Sequence, residues 1–232
     1  MKPKTHVLLA ATAAAAVALG ACGSTSTPKL SAGELLAKAE QTVNATQSFH
    51  FVLTSSNVSS NGTNLVGGSG NLERPDSLQG SFKVTISGLT ATVKVAAVGS
   101  VFEAKLPLSN KFTKTNPADF GLEDPASLLS PSAGLIRLLN LGSGATAVNQ
   151  KRVDGELLDT VSYQIPGKDV PVLPDQNPSE PVDMTAAVDP SNFQLRSVTL
   201  VGPLTSATSN STYVVTLSDY GEHVTITLPP TS

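Results

Sequence analysis

Over residues 48–115 apolar and polar side chains alternate with a period of two, and this rhythm restricts the fold more than any other feature of the chain. Phe49, Phe51 and Leu53 alternate with His50, Val52 and Thr54. Phe82, Val84 and Ile86 alternate with Lys83, Thr85 and Ser87. Ala91, Val93 and Val95 alternate with Thr92 and Lys94, and Phe102, Ala104 and Leu106 with Glu103 and Lys105. Successive side chains of a strand point to opposite faces, so each run predicts one apolar and one polar face. Turn residues punctuate the runs: Asn61-Gly62, Gly67-Gly68, Arg74-Pro75-Asp76, Gly88 and Gly99-Ser100. An antiparallel meander is predicted. The rhythm returns over residues 146–229. Asp154-Gly155 reads as a hairpin turn. Val161, Tyr163 and Ile165 then alternate with Thr160, Ser162 and Gln164. Further strands are predicted near residues 182–188, 195–201, 212–217 and 224–228, after a Pro-rich stretch, 166–181, that contains Val170, Val172 and Leu173.

Helices are predicted before and between the two strand blocks. Residues 31–47 open on Ser31 and Glu34, a capping-box pair, and place Leu35, Leu36, Ala39 and Val43 on one face. Residues 116–142 contain Asp124-Pro125 and Ser130-Pro131, each a capping residue followed by Pro at the first helical position. The second pair leads into Leu135, Ile136, Leu138 and Leu139, relieved only by Arg137 and Asn140, and stops near Gly142. A helix this apolar is well buried or faces a nonpolar ligand. The apolar face of a sheet must be covered. The helix near Leu35, the helices over 128–141 and the segment 170–173 are the available covers. A sheet of about 11 strands curls. The predicted fold is therefore α+β, a curved antiparallel sheet with helices over its concave apolar face, able to enclose a cavity rather than a solid core.

The amino end carries an address. Lys2 and Lys4 precede an apolar run over 7–19, then Leu19-Gly20-Ala21-Cys22. This is a secretory signal ending in a lipobox, with cleavage before Cys22 and lipidation of its sulfur. The run is shorter than the roughly 20 residues of a membrane span. The expected organisation is a signal peptide over 1–21, a small polar tether over 22–30 and one domain over 31–232. The mature chain of about 210 residues fits a single domain. Cys22 is the only cysteine, so no disulfide is expected. The expected location is the extracytoplasmic face of the cell membrane by a lipid anchor, with cell-wall or partly secreted forms as alternatives.

Chemistry is sparse. The net charge is −3 with 14% charged residues, no basic cluster along the chain and no Trp, which argues against nucleic-acid binding. Asn44, Asn57, Asn61 and Asn210 form glycosylation sequons, read as turn and surface chemistry if the lipobox marks a bacterial chain. His50 and His223 stand at polar positions of predicted strands and read as surface residues. Gly68-Ser69-Gly70 lacks the spacing of a nucleophile elbow and reads as a turn. Glu123-Asp124 reads as a helix cap. Clustered zinc ligands and a phosphate loop are both missing. No enzyme, metal or cofactor is expected.

Several stretches, in order, carry a resemblance: Asp119-Phe120-Gly121; Leu129-Ser130-Pro131-Ser132-Ala133-Gly134-Leu135-Ile136-Arg137-Leu138-Leu139; Val153-Asp154-Gly155 with Thr160; and Ser218-Asp219-Tyr220-Gly221 before Val224-Thr225-Ile226. The chain resembles the LppX/LprAFG family of actinobacterial, chiefly mycobacterial, lipoproteins. Ser130 stands where relatives often carry Asp, and Tyr220 where some carry Trp. The resemblance implies a half-open β-barrel around an apolar cavity, binding of multiply acylated lipids or glycolipids, and their movement from the plasma membrane toward the outer envelope. The expected partners are that lipid, the membrane through lipidated Cys22, and an envelope lipid transporter. The apolar strand residues Phe49, Phe51, Leu53, Phe82, Val84, Ile86, Val93, Val95, Phe102, Ala104, Leu106, Val161, Tyr163 and Ile165 are the cavity candidates. Leu128, Leu129, Leu135, Ile136, Leu138 and Leu139 are the candidate roof or gate. The rival expectations are a non-enzymatic envelope lipoprotein that chaperones protein, with a filled core and an exposed apolar patch, and a structural or host-sensed surface component that acts through the acyl groups on Cys22 alone.

Overall fold

A computed structural model of the chain describes residues 30–120, 134–142, 144–170 and 177–230. Helix α1 (Ala32–Ala45) leads into strands β1 (Ser48–Ser56), β2 (Thr63–Glu73), β3 (Ser77–Ile86), β4 (Leu89–Val98), β5 (Val101–Lys105) and β6 (Thr113–Lys114). A short 3-10 helix (Pro117–Phe120) follows, and then α2 (Gly134–Leu141). The second block is β7 (Asn149–Val153), β8 (Glu156–Pro166), β9 (Pro181–Val188), β10 (Leu195–Gly202) and β11 (Ser211–Ser218). All 11 strands form one curved, open antiparallel sheet, ordered β6-β5-β4-β3-β2-β1-β11-β10-β9-β8-β7. The two meanders meet where the first strand pairs with the last, with Phe51 opposite Leu217.

The α1 start is a full capping box. The Ser31 hydroxyl accepts the Glu34 N–H and the Glu34 carboxylate accepts the Ser31 N–H at 2.9 Å. The Ser31 hydroxyl also donates to Glu34 Oε2 at 2.7 Å, and this bond first, then the Ser31 N–H, holds the Glu34 carboxyl below its usual value. The helix ends at Ala45, two residues short of the sequence expectation, because Thr46 turns extended. Arg74 finishes that end from across the β2–β3 turn, donating to the Thr46 carbonyl at 3.0 Å and the Val43 carbonyl at 3.1 Å. A cation is favoured at a helix C-terminus, and losing it takes a donor from the Thr46 carbonyl and leaves the Val43 carbonyl only the Thr46 N–H. Arg74→Met is expected to cost about 2 kcal/mol in a urea melt, with an unchanged denaturant slope.

Glycine makes the curl. Gly67 and Gly68 do not form a turn, as the sequence suggested; they lie inside β2, as do Ser69 and Gly70. Gly70 pairs with Gly80 of β3. A Cβ on Gly70 would overlap the Gln79 carbonyl, and one on Gly80 would lie 2.6 Å from the Ser69 oxygen. Strands β2 and β3 therefore close together on the concave side in a way only glycine allows.

Three further expectations are corrected. Residues 224–228 form no strand: β11 already has β1 on one side and β10 on the other, so no sheet edge is free beside it. His223 is exposed but follows the last strand. Ile86 and Leu106 are not inside: Ile86 is 52% exposed at the β3–β4 turn and Leu106 46% exposed past the end of β5. Cys22, Leu128, Leu129, Val172, Leu173 and both expected helix starts lie outside the described residues.

Candidate functional site

The concave face is built by register. One hydrogen-bonded row crosses eight strands from β4 to β8: Val93, Phe82, Gly68, Leu53, Val215, Val198, Ala186 and Val161. Every side chain in it is apolar, and all the non-glycine members are buried or packed against the core. Parallel rows add Ala104, Val95, Gly80, Gly70, Phe51 and Leu217 on one side, and Tyr213, Leu200, Met184 and Tyr163 on the other. Phe51 of β1 and Phe82 of β3 stack with centroids 5.7 Å apart, across the intervening β2. Two rings meet over a strand only if that strand offers no side chain there, which Gly68 and Gly70 ensure. The sequence-derived candidates Phe49, Phe51, Phe82, Val84, Val93, Val95, Phe102, Ala104, Val161 and Ile165 are all buried, and Leu53 and Tyr163 are partly so.

Two helices cover one half of this face. α1 packs on α2 and on β9 and β10. Ile136, Leu138 and Leu139 of α2 are buried, and Gly142 at its end sits where a Cβ would meet Leu36 Cδ1 at 2.6 Å. The solvent side of α2 is held by polar ties: Arg137 pairs with Asp169, and Asn140 donates to Glu40 at 3.3 Å. Arg137 and Asn140, the two polar interruptions of the sequence pattern, are thus the residues that fasten α2 in place.

All three tyrosines of the chain bond to backbone carbonyls. Tyr163 donates to Leu138 at 3.0 Å, Tyr213 to Leu65 at 2.7 Å and Tyr220 to Leu195 at 2.6 Å. Burial pushes the Tyr213 phenol up to about 12 and raises Tyr163 and Tyr220 as well. These groups hold the sheet and α2 together and stay neutral. Below pH 10 the phenols are neutral in folded and unfolded chain alike, and their contribution to stability is intact. Above it the unfolded chain ionises first, so stability falls as pH rises toward the folded values, by about 1.4 kcal/mol per pH unit for each tyrosine. Thermal melts from pH 9 to 12 should show a steep fall beginning near pH 10, and Tyr213→Phe should remove roughly a third of the slope.

Among the described residues, buried polar side chains interrupt the inward face at Ser211 of β11, whose Oγ has no hydrogen-bond partner, and at Asp159 of β8. Asp159 continues the inward series of β8 before Val161, is buried, and its Oδ1 has no hydrogen-bond partner. No three His, Cys, Asp or Glu side chains come together among the described residues. His50 points to the outer face, with Nδ1 2.8 Å from Asn71 Oδ1. What the concave face offers a ligand is removal of apolar surface from water.

The sequence reading missed much of the second block's share of this face. Val182, Met184, Ala186 and Val188 line one face of β9 with period two, a signal available in the sequence. β10 hid its contribution, because a bulge between Leu195 and Ser197 reverses the inward parity within the strand.

Residues 31–226 match the model of the LppX_LprAFG lipoprotein family. The curated relatives include the "lipoarabinomannan carrier protein LprG" of Mycobacterium tuberculosis strain H37Rv and of Mycobacterium bovis, each 28% identical over 241 residues and aligned over 99% of both chains. Among solved structures, LprF from Mycobacterium bovis superposes with a TM-score of 0.67 at 18% identity, covering 85% of this chain and 96% of that one. LppX from Mycobacterium tuberculosis superposes with a TM-score of 0.58 at 15% identity, covering 84% and 98%. The half-open sheet of this chain is the fold of those two proteins. The chain belongs to the LppX/LprAFG lipoprotein family.

Proposed function

We propose that, as a member of the LppX/LprAFG lipoprotein family, this protein is an envelope lipid carrier whose concave face takes the acyl chains of a multiply acylated lipid or glycolipid. The observation that carries this reading is the unbroken apolar row across eight strands, with α1 and α2 packed together over half of it. The name of the LprG relatives, carriers of lipoarabinomannan, points the same way. Moving a sixteen-carbon chain into water costs about 12 kcal/mol, so a carrier must pass chains from bilayer to protein without exposing them. An apolar face reached past α2 makes that exchange close to neutral. Cys22, lipidated, would hold the domain at the extracytoplasmic side of the plasma membrane, and cargo would move outward with an envelope transporter as partner.

Native mass spectrometry of the Cys22→Ala protein, secreted from an actinobacterial host, tests the reading. The expected result is bound mass that resolves into acylated lipid on extraction. A bare protein mass, unchanged after incubation with envelope lipids, would replace it with the protein-binding or structural role.

A further inference from the structure

Seven large apolar side chains are well exposed among the described residues, and four of them share one end of the sheet: Ile86, Leu89, Leu106 and Leu108. Ile86 and Leu89 flank the Ser87-Gly88 turn that joins β3 to β4. Lys94 of β4 pairs with Lys105 of β5, so Leu106 and Leu108 leave β5 toward the same end of the sheet, about four residues short of the level of Leu89, where the Leu106–Ser109 turn reverses the chain. Leu89 is 78% exposed and Leu108 fully so. Two neighbouring loop tips therefore present leucine to water at the same end of the barrel.

The charge behind those tips is one-sided. Residues 77–114 hold Lys83, Lys94, Lys105, Lys111 and Lys114 against a single acid, Glu103, in a chain whose net charge is −3. The sequence shows no basic run, because these lysines are spread over 32 positions; the pairing of β3 to β6 gathers Lys83, Lys94, Lys105 and Lys114 on the outer face, and Lys111 lies in the β5–β6 loop. Lys94 stands directly opposite Lys105, a like-charge cross-strand pair that repels unless an anion lies against it. Among the described residues none of the five forms an ion pair. Glu103 is buried beside them, with Oε2 unpartnered. Lys83 lies three residues, about 10 Å, behind the Ile86 tip, and the Lys94–Lys105 pair about 17 Å behind Leu89.

We propose that this end of the sheet docks on an anionic bilayer, with the Ile86–Leu89 and Leu106–Leu108 tips in the interface and the convex lysines on the headgroups. Apolar side chains backed by Lys are the pattern of an interfacial anchor, in which burial and attraction to anionic lipid add. A nine-residue tether from a lipidated Cys22 spans at most about 30 Å, so the domain stays within reach of such a surface. The docking does not depend on what the concave face carries.

The test uses the full secreted chain with Cys22→Ala, so that no lipid anchor contributes, and vesicles of phosphatidylglycerol and phosphatidylcholine in equal parts or of phosphatidylcholine alone. The chain has no Trp, so Leu108→Trp adds a single reporter at the tip. A blue shift on the mixed vesicles is expected, with binding roughly tenfold tighter than to phosphatidylcholine and weakened at about 0.5 M salt. Leu89→Ser with Leu108→Ser, which lacks the reporter and is read by co-sedimentation with the vesicles beside the Cys22→Ala parent, should lower affinity for the mixed vesicles at least roughly tenfold. Lys94→Gln with Lys105→Gln should remove most of the preference for them. Leu89, Lys94 and Leu108 are exposed and Lys105 is half-buried on the outer face, so both double variants should melt within about 1 °C of the parent. No reporter shift, equal binding to both vesicles, or double variants that bind like the parent would overturn the proposal. So would a concentration-dependent dimer that needs Leu89 and Leu108, which would assign the surface to a second copy of the chain.

Discussion

Gly70→Val is expected to leave little folded protein at 37 °C. Gly70 and Gly80 face each other on adjacent strands, and the space a Cβ would need at Gly70 is held by the Gln79 carbonyl. Backbone of a paired strand cannot step aside as a flexible side chain can. The substitution must open the β2–β3 pair or flatten the curl, which also separates the Phe51 and Phe82 rings stacked across β2. A cost of about 3 kcal/mol or more follows from overpacking alone, a large part of a domain's total stability. Gly144→Ala is the control: nothing lies within 4 Å of its Cβ position, and a change within about 0.5 kcal/mol is expected. Urea melts of the two variants beside the parent decide the matter. A Gly70→Val protein as stable as the parent would mean that the glycines do not set the curvature.

Stripping lipid from the secreted Cys22→Ala protein should lower Tm by roughly 10 °C. A ligand bound only by the folded state, at a thousand times its Kd, adds about 4 kcal/mol, and each kcal/mol is worth about 2–4 °C in a domain of this size. The loss should be reversed by adding back the extracted lipid. A solid core would behave differently: organic extraction followed by refolding would return the same Tm with or without lipid. Differential scanning calorimetry of the loaded, stripped and reloaded protein separates the two.

The elements that the sequence announced are those in which local chemistry and tertiary context agree. Ser31 and Glu34 form the capping box that their spacing required. Asp154 and Gly155, both at positive φ, make the β7–β8 turn. Phe49, Phe51, Phe82, Val93 and Phe102 all lie inside, as their alternation demanded. The misreadings share a cause, which is that position in the sheet is a property of the whole chain. A Gly-Gly pair signals a turn locally, yet in β2 it serves a close approach by a strand that only pairing reveals. Residues 224–228 alternate like a strand, but both sides of β11 are taken. Ile86 and Leu106 keep the inward parity, yet they come where the sheet stops covering them. The lysine patch was invisible for the same reason: its members are far apart in sequence and adjacent only across hydrogen-bonded strands.

The seam between β1 and β11 sets an order of events for the growing chain. A chain that emerges amino end first can pair β1 through β6 with near neighbours, each joined by a short turn, but β1 keeps an open edge until the last strand arrives. Such an edge is a template for pairing with another molecule, and contacts this distant in sequence form slowly. Through that interval the apolar row stops at Leu53, and its far part, Val198, Ala186 and Val161, is already made but unjoined to it until Val215 arrives. Loss of the carboxyl-terminal strand would therefore do more than shorten the sheet: it would cut the molecule into two halves, each with half of the apolar concave surface and an unprotected flank.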